Sequence, residues 1–246
     1  MPTIFFYDVE TTGTDPAKCG IHQISGMFVK DGVVKDKFNY RVKPKEGCLC
    51  SPVAMDMAGY TYEEMMASDL FEPMDVVFKR VLDKITYYCG GNIENGHPAF
   101  KNKILFGGYN IHKFDNEFLR QWFEDNHAPF GFGYYYAGVI DVMLLLEIAV
   151  MKHRTEISGI KLEEAAWLLN ISNDPDGFHD ACFDVEMCYL IYCKLIDLGC
   201  IRPIQERDWV KLHTVEELEA WNKERKKIRW ESKQKNKILE EKANVK

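Results

Sequence analysis

Apolar residues are concentrated in three short runs at the start of the chain. The run over residues 3–9 is rich in β-branched and aromatic residues and too apolar for an edge strand, so it predicts a central strand ending near Glu10. Two further runs, residues 23–29 and 33–42, flank the Asp31-Gly32 dipeptide, which is typical of a tight hairpin. The first three strands are therefore predicted to form an antiparallel meander.

The remaining chain alternates between helical and strand-like patterns. Thr61 is placed to cap a helix, and Pro73 opens a second segment with apolar residues at helical spacing. Residues 90–98 have the composition of a loop, and residues 103–109 predict another buried strand. Further helices are predicted from Asp115 onward and over residues 142–152, 162–169 and 181–198. This order indicates an α/β fold with a mixed sheet.

The charge of the chain is unevenly distributed. Residues 211–246 carry a net charge of +4, whereas residues 1–210 carry −11. An acidic body argues mildly against a protein that mainly coats nucleic acid through its own lysines and arginines, but it is compatible with a protein whose bound cations supply local positive charge. Residues 217–246 have few apolar anchors, so they predict an exposed helix or a partly disordered tail. We divide the chain into a catalytic domain, residues 1–200, and a charged, mainly helical extension, residues 201–246.

Length and composition are those of an ordinary globular protein, with 246 residues of which 46% are hydrophobic. No apolar stretch approaches the roughly 20 residues of a membrane helix, and the N-terminus lacks the layout of a signal peptide. We expect a cytoplasmic protein with no membrane partner. The eight cysteines are spread through apolar segments, which favours buried free thiols. Cys48 and Cys50 lack the second pair that a zinc site would need.

Two acidic residues mark the end of the first predicted strand. Asp8 and Glu10 lie two residues apart, and side chains alternate across a strand, so both carboxylates point to the same face and can share one site. The alternative is a strand end near solvent, where acids are common. Thr11, Thr12 and Gly13 follow with small side chains and accessible backbone amides, which suit either a ligand-gripping loop or a simple turn.

Two more aspartates fall on apolar faces of predicted helices. Asp115 starts such a face, a position that also suits an N-cap residue. Asp184 lies inside its helix, on the stripe that continues with Cys188, Ile191 and Leu195. A buried, unpaired carboxylate is costly, and no lysine or arginine lies within one turn on that face. A metal ion, a shifted pKa or a distant salt bridge would compensate for the burial.

His179 stands five residues before Asp184, just ahead of the helix. A lone histidine at such a position is commonly a surface or capping residue. Beside four carboxylates it also fits the hydrolysis of a phosphodiester, which uses oxygen ligands for hard cations and a base that takes a proton from the attacking water. A metal-dependent hydrolase is therefore one hypothesis that the residues support.

Three segments resemble the motifs of the DEDDh exonucleases, the DnaQ-like branch of the ribonuclease H-like fold. They are Asp8-Val-Glu-Thr-Thr-Gly13, Asn110-Ile-His-Lys-Phe-Asp115 and His179-x4-Asp184, in the family's order. The resemblance covers about residues 3–198. It implies a mixed five-stranded sheet flanked by helices, and a 3′→5′ exonuclease that uses two divalent cations, Mg²⁺ or Mn²⁺.

The resemblance also implies a role for each motif residue. The acidic residues would hold the two cations, and the histidine would act as general base. This catalytic set is Asp8, Glu10, Asp115, Asp184 and His179. A second set would bind the terminal nucleotide: Thr11, Thr12, Gly13, Met55, Asn110 and Phe114.

The second motif bears on the choice of substrate. Asn110 stands five residues before Asp115, one more than in many proofreading members, and residues 108–117 are similar to those of bacterial exonuclease I. The leading hypothesis is release of nucleoside monophosphates from the 3′ ends of single-stranded DNA. Alternatives are an RNA or oligoribonucleotide exonuclease, and a proofreading subunit whose tail binds a polymerase or another replication or repair protein. A further alternative is a nucleic-acid-binding scaffold with an inactive nuclease fold.

Overall fold

The structure is a computed structural model, and it describes residues 2–94, 97–99, 103–128, 131–157, 160–172 and 178–201, with seven helical residues between positions 217 and 231. The chain divides into two compact units, Met1–Ile201 and Arg202–Lys246. Most of the predicted C-terminal extension lies outside the described residues, so its helical character and its role stay predictions.

A five-stranded mixed sheet forms the centre of the first unit. The strands in chain order are β1 (Ile4–Thr11), β2 (Ile21–Lys30), β3 (Val33–Arg41), β4 (Asn92–Glu94), β5 (His97–Ala99), β6 (Ile104–Gly108) and β7 (Tyr136–Asp141). The sheet has the order β3-β2-β1-β6-β7, in which β1 pairs antiparallel with β2 and parallel with β6. The α/β class, the central first strand and the β1–β3 meander are thereby confirmed.

Two parts of the strand prediction differ from the structure. The loop predicted for residues 90–98 is wrong in part, because β4 and β5 pair there as a two-stranded antiparallel sheet. Strands of three residues give too short an alternation to be distinguished from a loop. The sequence pattern also misses β7, an edge strand in which only Asp141 is fully buried, so its apolar signal is weak.

Seven α-helices are present among the described residues of the first unit. They are α1 (Pro52–Ala58), α2 (Tyr62–Ala67), α3 (Met74–Tyr88), α4 (Asp115–Asp125), α5 (Val142–Ala149), α6 (Leu162–Leu168) and α7 (Ala181–Asp197). Thr61 caps α2 in a reciprocal box with Glu64, and Pro73 precedes α3, as predicted. Three helices rather than two follow β3, because α1 buries no side chain and so shows no apolar periodicity.

The two faces of the sheet carry different helices. Phe5 belongs to a cluster with residues of α3 and α4, whereas Phe6 belongs to a cluster with residues of α5, α6 and α7. The ring of Phe6 lies 5.3 Å from that of Tyr192 in α7. Because side chains alternate along β1, Asp8 and Glu10 share the face of Phe6 and point toward α7.

Two predictions about the chain as a whole can be compared with the described residues. All eight cysteines are free thiols, as predicted, but only Cys19, Cys89 and Cys188 are buried, so the predicted burial is wrong for the other five. Among the described residues, no helix has the length and hydrophobicity that crossing a bilayer would require.

Candidate active site

β1 delivers the first two carboxylates of the site. Asp8 and Glu10 are both partly buried at its C-terminal end. The pairing of β1 with β2 changes register between Glu10 and Thr11, where the strand leaves the regular ladder. Such an irregularity bends a strand end and re-aims its side chains.

α7 and the turn before it bring two further site residues to the same place. The ligand atoms of Glu10, His179 and Asp184 all lie within 4.8 Å of one another. The imidazole of His179 is exposed, while its backbone N–H donates to Asp184 Oδ2 at 3.2 Å. His179 has a φ of +71°, a conformation that costs a non-glycine residue about 1–3 kcal/mol and occurs often at functional sites.

Asp115 reaches the site from the other side of β1. It is the first residue of α4, and its side chain does not cap that helix. Instead, its Oδ1 accepts a hydrogen bond from the backbone N–H of Val9 at 3.1 Å. Only 4% of Asp115 is exposed. The predicted N-cap alternative is therefore wrong, and the carboxylate is fixed beside the strand that carries Asp8.

Burial is the main reason why the four carboxylates resist ionisation, and repulsion by neighbouring acidic groups adds to it. Burial, followed by Asp115 and Glu10, raises the pKa of Asp8 well above its ordinary value. Burial, with Asp184 next, raises the pKa of Glu10 to about 8. Burial raises the pKa of Asp115 to about 7, against the hydrogen bond from Val9. Clustered acids with shifted pKa values are typical of functional sites.

Asp184 gives the clearest indication that the acidic cluster, Asp8, Glu10, Asp115 and Asp184, fits a cation. Burial raises its pKa to about 7, although the His179 N–H opposes the shift. Its Oδ1 is buried and has no hydrogen-bond partner among the residues that the structure describes. A buried carboxylate oxygen without a donor is costly, and a hard divalent cation is the partner that such oxygens prefer. The donor set therefore fits Mg²⁺ or Mn²⁺.

The loop after β1 is held together by its own polar groups. The hydroxyl of Thr12 donates to Leu49 O at 2.7 Å and accepts from Gly20 N at 2.9 Å. Thr11 is also buried, and its hydroxyl donates to Gly13 O. A Cβ at Gly13 would lie 2.7 Å from Cys19 Sγ, so glycine is needed for this packing. These contacts favour a shaping role for the threonine hydroxyls.

The other three predicted substrate-binding residues lie in or beside the loops around the site. Met55 is half-buried on α1, which is tied to the β1 loop because Ser51 N donates to the backbone oxygen of Thr12. Asn110 has a φ of +57° in the loop between β6 and α4. Phe114 ends that loop, and its ring lies 5.0 Å from that of Phe118. The nucleotide contacts of all three stay predictions.

One acidic residue that sequence reasoning misses organises the loop before Asp115. Asp141 is 6% exposed, and its carboxylate accepts from the backbone N–H groups of Asn110, His112 and Met143. The loop that leads to Asp115 is thus fixed by the end of β7. An aspartate directly before the apolar residues of α5 is an N-cap signal in the sequence, but its loop contacts are not visible there.

Comparison with known families agrees with this arrangement. The model of the RNase_T family, described as an exonuclease, matches residues 5–192. The chain belongs to this exonuclease family. The match spans β1 to α7 and so contains every residue of the acidic cluster. No curated protein sequence matches the chain significantly.

Solved structures of exonuclease I have the same fold as this chain. Escherichia coli exonuclease I in complex with a dA16 oligonucleotide is 21% identical, with a TM-score of 0.60 over 80% of this chain and 41% of that chain. The zinc-bound complex of the same enzyme with single-stranded DNA is 22% identical, with a TM-score of 0.61 over 81% and 41%. Exonuclease I from Methylocaldum szegediense is 19% identical, with a TM-score of 0.61 over 80% and 41%. The chain thus spans about two fifths of the length of these proteins.

Proposed function

We propose that this protein is a cation-dependent 3′→5′ exonuclease that releases nucleoside monophosphates from single-stranded DNA. The observation that carries the proposal is the convergence of Glu10, His179 and Asp184 within 4.8 Å, with one buried Asp184 oxygen unpartnered among the described residues. DNA is the proposed polymer because similar folds in exonuclease I bind single-stranded DNA oligonucleotides. The cytoplasm is the compartment that we propose, on the composition of the chain.

Two divalent cations, Mg²⁺ or Mn²⁺, would be held by Asp8, Glu10, Asp115 and Asp184. When bound, they would neutralise charge that develops on the phosphate during hydrolysis. Asp115 is held for this task by Val9 N, and Asp184 by His179 N. Both hydrogen bonds leave the second oxygen of the carboxylate for another partner.

The exposed imidazole of His179 is the group that would accept the proton of the attacking water. Attack on phosphorus then breaks its bond to the 3′ oxygen of the preceding nucleotide, which takes up a proton from solvent and leaves as a hydroxyl, and His179 later returns its proton to solvent. The backbone of His179 is fixed by Asp184 while its ring is free toward solvent, so the ring can turn to a bound 3′ end. A positioned base of this kind typically contributes about 10² to 10⁴ in rate.

The test uses oligonucleotides labelled at the 5′ end, as single- and double-stranded DNA and as RNA, with Mg²⁺ or Mn²⁺ and with chelator. The wild type is expected to shorten single-stranded DNA from the 3′ end only when cation is present. His179→Ala is expected to lower kcat by about 10² to 10⁴. His153→Ala is the matched control, since His153 is 70% exposed and lies in a surface pair with Glu156.

Four outcomes would each contradict one part of the proposal. Shortening that persists in chelator would refute the cation dependence, and equal rates for His179→Ala and His153→Ala would refute the general base. Faster hydrolysis of RNA than of DNA would refute the proposed polymer while leaving the chemistry intact. A 3′-terminal phosphorothioate that fails to slow the reaction would refute its direction.

A further inference from the structure

Gln23 is a buried polar residue that the reaction proposed above does not use. It lies in β2 directly opposite Glu10 of β1. Residues paired in this way point to the same face of an antiparallel sheet, so the side chain of Gln23 faces α7 beside that of Glu10. Only 7% of Gln23 is exposed.

The amide of Gln23 joins two strands to the start of α7. Its Nε2 donates to Asn39 Oδ1 at 3.0 Å and to Asp180 Oδ2 at 3.1 Å. Asn39 Oδ1 also accepts from Ser25 Oγ at 2.9 Å. Both amide hydrogens of Gln23 therefore have an acceptor, which fixes the orientation of the side chain.

Asp180 connects Gln23 to the turn that carries His179. Its Oδ1 accepts from the backbone N–H groups of Cys182 and Phe183 at 3.0 and 3.3 Å, and so caps α7. Its Oδ2 is the atom that Gln23 holds. His179 precedes Asp180 in a left-handed conformation, with its own N–H on Asp184. The turn that carries His179 is thus held from the helix on one side and from the sheet on the other.

We propose that Gln23 is a positioning residue that fixes the His179 turn relative to Glu10, an inference that rests on the proposed exonuclease function. Without the amide, Asp180 still caps α7, but the link between the turn and β2 is lost. A displacement of about 1 Å in a reacting group can cost about 100-fold in rate. Gln23 makes no hydrogen bond to the four carboxylates that would hold the cations, so we expect its loss to change cation affinity less than kcat.

The first experiment compares Gln23→Met with a matched control, Gln121→Met. Gln121 also donates from Nε2 to an aspartate, Asp125, but within α4 and outside the acidic cluster. We expect Gln23→Met to lower kcat by about 10- to 100-fold, with KM and the Mn²⁺ dissociation constant within about threefold of wild type. A kcat for Gln23→Met within about threefold of the control, or an equal loss in Mn²⁺ affinity, would overturn the proposal.

The second experiment exchanges the donor and the acceptor of the contact between residues 23 and 180, so that residue 180 donates and residue 23 accepts. Gln23→Glu places two carboxylates face to face at the 23–180 contact, so kcat is expected to fall at least as far as in Gln23→Met. Adding Asp180→Asn returns an amide donor to this contact at unchanged net charge and keeps an oxygen for the α7 cap. The double variant is expected to be at least about tenfold faster than Gln23→Glu. A double variant no faster than Gln23→Glu contradicts the proposal.

A third measurement is independent of catalysis. Hydrogen exchange of the backbone amides in residues 178–184 is expected to be at least about fivefold faster in Gln23→Met than in wild type, and unchanged in Gln121→Met. If the wild type hydrolyses no nucleic acid, the proposed function fails, and this exchange measurement alone decides whether Gln23 holds the turn. Equal exchange in the three proteins would overturn the positioning role whether or not the protein is an exonuclease.

Discussion

Replacing Asp184 by asparagine should stabilise the cation-free protein, although Asp184 belongs to the acidic cluster. The folded-state pKa of Asp184 is about 7, raised chiefly by burial from the ordinary value of 3.8. An acid whose folded pKa is raised favours folding at low pH, and that contribution is lost as the pH rises through the folded value. Each pKa unit corresponds to about 1.4 kcal/mol, so ionised Asp184 costs at most about 4 kcal/mol above pH 7.

Asparagine removes this charge and keeps an oxygen for the His179 N–H. In chelator at pH 8, we expect Asp184→Asn to unfold with a free energy about 2–4 kcal/mol higher than that of the wild type. At pH 5 the carboxyl is protonated in the folded wild type but still largely ionised in the unfolded chain, so the difference should shrink to about 1–2 kcal/mol, and it should fall below about 1 kcal/mol only near pH 4. Saturating Mn²⁺ should reverse the order, because the wild type binds the cation more tightly and gains more stability by mass action.

Urea denaturation followed by circular dichroism measures these differences in the free energy of unfolding, provided that this free energy falls with urea concentration at the same slope in both proteins. Asp83→Asn is the control, since Asp83 is 58% exposed in a surface pair with Lys79. Buried His22, whose pKa is lowered by burial to about 4, is present in every protein and cancels. A variant less stable than wild type at pH 8 in chelator, or a difference that does not depend on pH, would refute the reasoning.

Three further predictions follow from the same structure. Binding of Mn²⁺ should release more protons at pH 7 than at pH 9, because the pKa values of Glu10 and Asp115 are about 8 and 7 without cation. Calorimetry in buffers of different ionisation enthalpy counts the released protons, and an equal release at both pH values would contradict the raised pKa values. Asp141→Ala should destabilise the protein by about 3 kcal/mol, since it leaves three backbone N–H groups without their acceptor; a loss below about 1 kcal/mol in urea would argue against this role. Gly26→Ala should lower the free energy of unfolding by about 1–3 kcal/mol, because the added Cβ would lie 2.4 Å from the Phe5 ring. Gly32→Ala should lower it by about 1 kcal/mol, because Gly32 has a φ of +74° in open space. A Gly26 variant as stable as the Gly32 variant would show that the core yields more easily than its packing suggests.

The parts of the site that the sequence predicts are those that depend on local periodicity. Alternation along β1 is enough to put Asp8 and Glu10 on one face. Helical spacing is enough to put Asp184 on the buried stripe of α7, where 8% of it is exposed. These inferences need no knowledge of how distant segments meet.

The parts that the sequence does not predict depend on contacts between distant segments. Asp141 bonds to backbone groups of Asn110 and His112, about thirty positions earlier in the chain. Gln23 and Asp180 are 157 positions apart. Neither residue belongs to a periodic pattern that would mark it, and a polar residue in a strand or before a helix has many ordinary uses. Only the folded arrangement distinguishes them from such residues.

The packing of α7 against β1 and β2 has a consequence for the biosynthesis of the protein. The first carboxylate of the cluster is residue 8 and the last is residue 184, so the cluster is complete only after most of the chain has been made. At about 5–20 residues per second, roughly 10–35 s separate the synthesis of these two ends. A nascent chain that ends before residue 179 has neither His179 nor Asp184. A ribosome translating this protein therefore carries no complete set of the proposed site residues beside its messenger RNA until residue 184 has been made.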